Sequence, residues 1–521
     1  MATPTTEQPG ILWVIQPGAG RDSPTAIAVC KASALLEEIG ILKAVHFASP
    51  TARHVLDLCE DIALLLQSEA RDLHACSINA GEGALEGKYD IARSYTQFAY
   101  QLRGWLRFVV SADNVAPAAD LVAPLETLVE QHAPGVKVLI RPQWKYNFSY
   151  RHFARLLFTV GRNTFDWTPE QFSDVASKHG FVAPEHGIPH VAVLSYAGIE
   201  RRNALAMVML AHEIGHLLDE HYNLSSGQDV RAALTLAADE QKNEVVGIPV
   251  SQKEKERRAA FVDELKKEAG FWIRELVADV AALRLVGPAY VSALKASAYA
   301  LATYKKLPHQ HPPLQDRLSW VLSESRRHDL GHIGFLDKHA RDYPTAAAIR
   351  DYLKSQAADV AGAGRKSTGS SIGQDEENKT VLLRKLSRPA TEKALVQLRK
   401  RVLPSERCFK LSDEVFRMVD LLAREVPPCQ SYVPGLDPEA DKKRDPAKQH
   451  FSMAAILNAG WMFYLTHARK DRNNVHKDAA ERTVDPESIE LQMVSDLVTL
   501  AVKQSSFLEK YALLKAEDDK S

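Results

Sequence analysis

Apolar positions along the first 130 residues fall into two alternating patterns. Short continuous runs at 11–15, 42–47 and 73–78 predict strands. Between them the spacing turns helical over 26–38, 52–66 and 89–106. In the second of these, Val55, Leu56, Cys59, Ile62 and Ala63 share one face. Strand and helix in alternation predict a doubly wound α/β domain over 1–130. Residues 131–356 read differently, with strands at 136–140 and 190–196 followed mostly by helices, a mainly helical α+β unit. Residues 357–379 are small, polar and turn-rich and predict a flexible linker. Helical spacing resumes over 380–521, as in 489–514, and predicts a helical third domain. The expected chain is therefore multidomain.

Two glycine-containing turns, Gly18-Ala19-Gly20 and Gly81-Glu82-Gly83, fall at the expected strand ends, where such sheets bind ligands. The first lacks Gly-Lys-Ser/Thr and is not a P-loop. The arrangement resembles the nucleotide-sensing Rossmann-like domains fused to effectors in prokaryotic defence systems. That resemblance implies a small anionic or nucleotide ligand at the N-terminal domain.

The chemistry lies in the middle of the chain. Residues 204–221 read ALAMVMLAHEIGHLLDEH, apolar almost all round, with Gly215 as the only helix-weak residue. His212 and His216, four apart, stack on one helix face and form half of a tetrahedral zinc site. Glu213, beside the first histidine, is placed to act as general base on a water. With 19 histidines in 521 residues, such a match arises by chance only about 0.05 times per chain. The plain alternative, two satisfied histidines in a buried helix, leaves Glu213 as an uncompensated buried charge. A metzincin needs glycine and histidine seven and ten residues after His212; Asp219 and Tyr222 stand there instead. His221 comes one residue too early and reads as a helix-end residue near the C-terminal dipole. A second helix, 271–286 (FWIRELVADVAALRLV), offers Glu275 as third ligand and Asp279, one turn on, for the free N–H of a ligating histidine. Asp263, Glu264 and Glu268 sit in a charged run that reads as a solvated face. Residues 309–317, HQHPPLQDR, place His311 and Arg317 around two prolines that open a helix. Either could steady an oxyanion, or the segment could be a capping turn with a structural arginine.

HEIGH, then ELVAD, then HPPLQDR resembles the gluzincin zinc metallopeptidases of the HtpX and CAAX-prenyl-protease class over about residues 190–325. The resemblance implies one Zn2+ per chain on His212, His216 and Glu275, with Asp279 behind the ligands. It also implies Glu213 as base and His311 and Arg317 near a bound protein or peptide substrate. A weaker similarity is to ImmA/IrrE-like peptidases, which share HEIGH but commonly carry asparagine at the position of Asp279. The expected activity is that of a zinc endopeptidase, with residues 190–196 pairing to an extended substrate. The alternative is a ligand-sensing or nucleic-acid-binding regulator with a structural zinc.

Composition narrows the setting. A net charge of -1 points to neither nucleic acid nor membrane. Five widely spaced cysteines form no disulfide framework. Residues 1–8 carry no signal-peptide pattern, and no uncharged apolar run reaches the ~18 residues of a membrane span. The expected compartment is the cytoplasm. One local departure is 384–410, with nine Lys/Arg against Glu392 and Glu406. Such a run reads as a solvated helix face, with a nucleic-acid docking patch as the alternative.

Overall fold

The computed structural model describes residues 23–45, 50–78, 82–112, 119–181, 188–201, 203–246, 251–304, 311–366, 374–425, 427–428, 452–467, 491–505 and 507. The chain divides into two compact units, Met1–Val110 with Ala154–Pro189, and Ser111–Phe153 with His190–Ser521.

The first unit is helical. It holds α1 (Pro24–Lys43), α2 (Pro50–Ile78), α3 (Glu82–Ala112) and, from the return segment, α5 (Phe153–Phe165) and α6 (Pro169–Ser177). Ser23 caps α1 by accepting from the Ala26 amide, and Pro24 starts it with a pre-set φ. Ala28, Ala32, Leu35 and Ile39 form its buried stripe and pack against α2, which buries Val55, Leu56, Cys59, Ile62 and Ala63.

The doubly wound, Rossmann-like α/β reading of residues 1–130 does not hold. Among the described residues this unit contains no strand. The run 73–78 is the last two turns of α2; Ala70 and Ser77, seven apart, are buried, while Cys76 and Ile78 are exposed. That is helical spacing, where a strand would alternate. A six-residue apolar run does not distinguish the two, and the longer helical stripe wins. Of the run 42–47, Leu42 and Lys43 close α1 and 44–45 form a turn; 46–47, like the run 11–15 and Gly18-Ala19-Gly20, lie outside the described residues. Glu82 and Gly83 open α3 in a helix-to-helix connection, so the strand end on which a nucleotide site was expected is absent there.

The second unit carries the sheet. β1 (Lys137–Gln143), β2 (Ser149–His152) and β3 (Val191–Ala197) are ordered β1-β3-β2, with β3 parallel to β1 and antiparallel to β2. The strands expected at 136–140 and 190–196 therefore form, at 137–143 and 191–197. β3 is the central strand, however, and is buried along its length. Its backbone is already paired on both sides, so it cannot take up an extended substrate as expected; among the described residues, the outer edges belong to β1 and β2.

Helices complete this unit. α4 (Ala119–His132) precedes the sheet, and after it come α7 (Leu210–Tyr222), α8 (Gln228–Val246), α9 (Gln252–Val286), α10 (Ala289–Tyr304) and α11 (Leu314–Ser325). There follow α12 (His332–His339), α13 (Pro344–Lys366), α14 (Gln374–Gln397), α15 (Asp413–Leu422), α16 (Met453–His467) and a helical stretch over 491–505. Residues 357–366 continue α13 and 374–379 open α14, with 367–373 outside the described residues. Helix-favouring Ala357, Ala358, Ala361 and Ala363 explain why much of the stretch read as linker is helical. One apolar core runs from Leu125 through Ile214 and Val277 to Leu386, Phe416, Ile456 and Val498. Residues beyond 380 thus share a core with the helices that carry the chemistry. Among the described residues, no helix is long and apolar enough to cross a membrane.

Candidate metal centre

α7 and α9 cross at Gly215. A Cβ built there would stand 2.6 Å from the Ala278 carbonyl oxygen and 2.7 Å from its Cα. A glycine inside a helix costs roughly 0.5–1 kcal/mol relative to alanine. Here it lets two backbones touch, and the contact brings His212 and His216 of α7 against Glu275 and Asp279 of α9.

The Nε2 atom of His212 lies 3.4 Å from Glu275 Oε2, and that of His216 lies 3.3 Å from Glu275 Oε1. In a tetrahedral zinc site, donors about 2.0–2.1 Å from the metal stand about 3.3–3.4 Å from each other. One ligand atom from each of the three residues falls within 4.8 Å of the others, so the group could hold a metal ion. Glu275 Oε2 is buried and makes no hydrogen bond, which suits an oxygen that ligates a metal. Among the described residues no fourth His, Cys, Asp or Glu joins the triad.

Around this triad lies a buried polar network. Asp279 is fully buried; Arg317 donates to it through Nε at 2.7 Å and Nη2 at 2.6 Å, a bidentate grip. The Tyr290 hydroxyl, also buried, donates to Asp279 Oδ1 at 2.5 Å. On the ligand side, His212 Nδ1 lies 2.9 Å from Asp279 Oδ1 and 3.2 Å from the Tyr290 oxygen. Burial alone would raise the Asp279 carboxyl, but the Arg317 charge and hydrogen bonds hold it well below the usual carboxylate range. Glu275 is likewise held low: burial is outweighed by the facing histidines, His216 first. Burial would lower the His212 imidazole, yet its contacts with Asp279 and Glu275 push it up to about 10. Glu213 goes the other way, raised by burial with only partial relief from His212 and His216.

The remaining sequence-selected residues fall as follows. His311 Nδ1 stands 3.0 Å from Glu275 Oε2, but the two do not align as a hydrogen bond, and the half-buried ring sits at the rim. Arg317, in the first turn of α11, faces inward onto Asp279, with its Nη2 3.8 Å from Glu275. Pro313 sets that turn, its carbonyl accepting from the Arg317 amide. His221 lies in the last turn of α7 against Tyr222, outside the triad. Asp263 pairs with Lys242 and Glu268 with Lys379, and neither belongs to the triad. In the basic run, Arg384 pairs with Asp316 and Arg399 with buried Glu324. Buried Leu383, Leu386, Ala390, Ala394 and Leu395 alternate with it at helical spacing, as on a solvated face.

Sequence reasoning missed Tyr290. It lies eleven residues past Asp279 on the next helix, and its only local signal is the Gly287-Pro288 break between α9 and α10. No protein-family model, curated protein or solved structure matches this chain.

Proposed function

We propose that the protein is a zinc-dependent endopeptidase. The observation that carries this reading is a two-histidine, one-carboxylate triad with no fourth protein ligand among the described residues, set beside a buried glutamate. Closed four-ligand sites are the structural kind, and three-ligand sites are the catalytic kind. A zinc ion held by His212, His216 and Glu275 would supply the Lewis acidity that peptide hydrolysis needs.

The chain's own groups account for the proton traffic. Glu213 sits on the turn of α7 that presents the ligands, and burial raises its carboxyl toward the range of a working base. It takes a proton from the attacking water and returns it to the leaving amine. The partly exposed His311, with Nδ1 3.0 Å from Glu275, would donate to the oxyanion. Arg317 is not, because its guanidinium is committed to Asp279.

The test is Glu213→Gln in the full chain. The variant is expected to fold and to bind stoichiometric zinc, while peptide-bond cleavage, read by proteomics of cells expressing it against wild type, disappears. Loss of zinc together with activity would reassign Glu213 as a ligand. Retained cleavage would remove it from the chemistry.

A further inference from the structure

We infer that Tyr290 is a positioning residue for the metal centre, and that Asp279 orients His212 in part through the Tyr290 hydroxyl. The inference rests on the metal-centre reading and extends it to a residue on a third helix.

A ligating histidine needs its second nitrogen held, since that bond fixes both the tautomer and the ring plane. With His212 Nε2 turned to the triad, Nδ1 carries the proton. Three groups surround Nδ1: Asp279 Oδ1 at 2.9 Å, the Tyr290 oxygen at 3.2 Å and Arg317 Nη2 at 3.5 Å. A guanidinium has no acceptor, so Arg317 cannot take that proton. Two acceptors remain, and one depends on the other. Tyr290 gives its own proton to Asp279 Oδ1, which leaves its oxygen lone pairs for the His212 N–H. Asp279 Oδ1 is already shared with Arg317 Nη2. The tyrosine thus supplies a second acceptor where the carboxylate oxygen is crowded. Its ring lies 6° from parallel to the His212 imidazole, with centroids 6.4 Å apart.

The position of Tyr290 is set independently of Asp279. It is the second residue of α10, just past a turn in which Gly287 adopts φ 72°. Asn458 of α16 clamps both sides of that turn, donating to the Val286 carbonyl and accepting from the Ala289 amide. His212 is therefore oriented from α9 through Asp279 and from α10 through Tyr290. Arg317 of α11 holds the carboxylate that joins them.

The experiment is a double-mutant cycle on the full chain, with zinc affinity measured by competition against a chromophoric chelator and apo thermal midpoints measured alongside. Tyr290→Phe, which removes one oxygen, should weaken zinc ~10–100-fold, the usual loss for a partner behind a ligand. Asp279→Asn should weaken it at least as much. The double variant should be no more than about threefold worse than the worse single one, because coupled groups are not additive. Fully additive losses would mean two independent partners and would overturn the relay. Wild-type zinc affinity in Tyr290→Phe, with or without a lowered apo midpoint, would make the tyrosine purely structural and overturn the inference outright. If Asp279→Asn does not fold, Tyr290→Phe decides on affinity alone. Glu275→Ala separates the two levels. Retained zinc there sinks the metal centre itself, whereas lost zinc there with wild-type binding in Tyr290→Phe sinks only the role of Tyr290.

Discussion

Asn458→Ala tests whether the turn behind the metal centre is held from the C-terminal helices. Asn458 is fully buried. Its Nδ2 donates to the Val286 carbonyl at 2.5 Å and to the Ala454 carbonyl at 2.7 Å, and its Oδ1 accepts from the Ala289 amide at 2.9 Å. Val286 ends α9 and Ala289 begins α10, and groups at helix ends have no partner within their own helix. Truncation to alanine leaves one carbonyl and one amide buried and unpaired, at about 1–3 kcal/mol each. The expected loss is therefore about 2–6 kcal/mol, the lower figure applying if a water enters the vacated space. At roughly 2 °C per kcal/mol, the low end for large domains, Tm should fall by about 4–12 °C. Differential scanning calorimetry reads the midpoint, and chelator competition reads zinc, which should also bind more weakly because the turn carries Tyr290. A midpoint within about 1 °C of wild type, with unchanged zinc affinity, would refute the reasoning. Asn458→Asp should be worse than alanine, since it loses both donated bonds and turns a carboxylate toward the Val286 carbonyl.

Two further outcomes follow from the charge states. Contacts with Asp279 and Glu275 push His212 up to about 10 against its burial, so at pH 8 it holds a proton that a binding zinc ion would have to expel. Titration calorimetry in buffers of different ionisation enthalpy should find at least one proton released per zinc at pH 8, from His212 and in addition from any zinc-bound water; no release would mean His212 is already neutral. His332 is buried with neither ring nitrogen hydrogen-bonded, and burial lowers it from 6.5 to about 4. Because its folded value is depressed, its contribution to stability is whole above pH 6.5 and is lost as pH falls from 6.5 toward 4. Between pH 7 and pH 5 that is about 2 kcal/mol. His332→Leu should lose that much less than wild type in urea melts over the same interval, and an identical pH dependence would show that the ring is not held neutral.

The parts of the site that could be read from the chain are those whose geometry is local. His212 and His216 are four apart on one helix, and so are Glu275 and Asp279 on another; helical spacing alone aligns each pair. Tyr290 meets His212 across 78 residues and Asn458 meets Val286 across 172, and no spacing rule reaches that far. Gly215 shows the boundary between the two cases. It was legible as a weak point in a helix, but its reason, the Ala278 backbone, belongs to another element.

The error in the fold has the same origin. The run 73–78, a strand by its apolar residues alone, is too short to carry a period, whereas the helical period is present in the preceding twenty residues of α2 and continues through Ser77. The stretch beyond 380 makes the opposite point. Its basic run reads as a solvated helix face, with a docking patch as the alternative, and the buried face of α14 packs on α8 and α9. Trp461 donates to the Leu205 carbonyl and Ser495 accepts from the Ala204 amide, both just before the helix that carries the histidines. An amphipathic helix states only that it has a buried side. Which core that side completes is decided by contacts such as these, and here it is the core that holds the helices of His212, His216 and Glu275 in place.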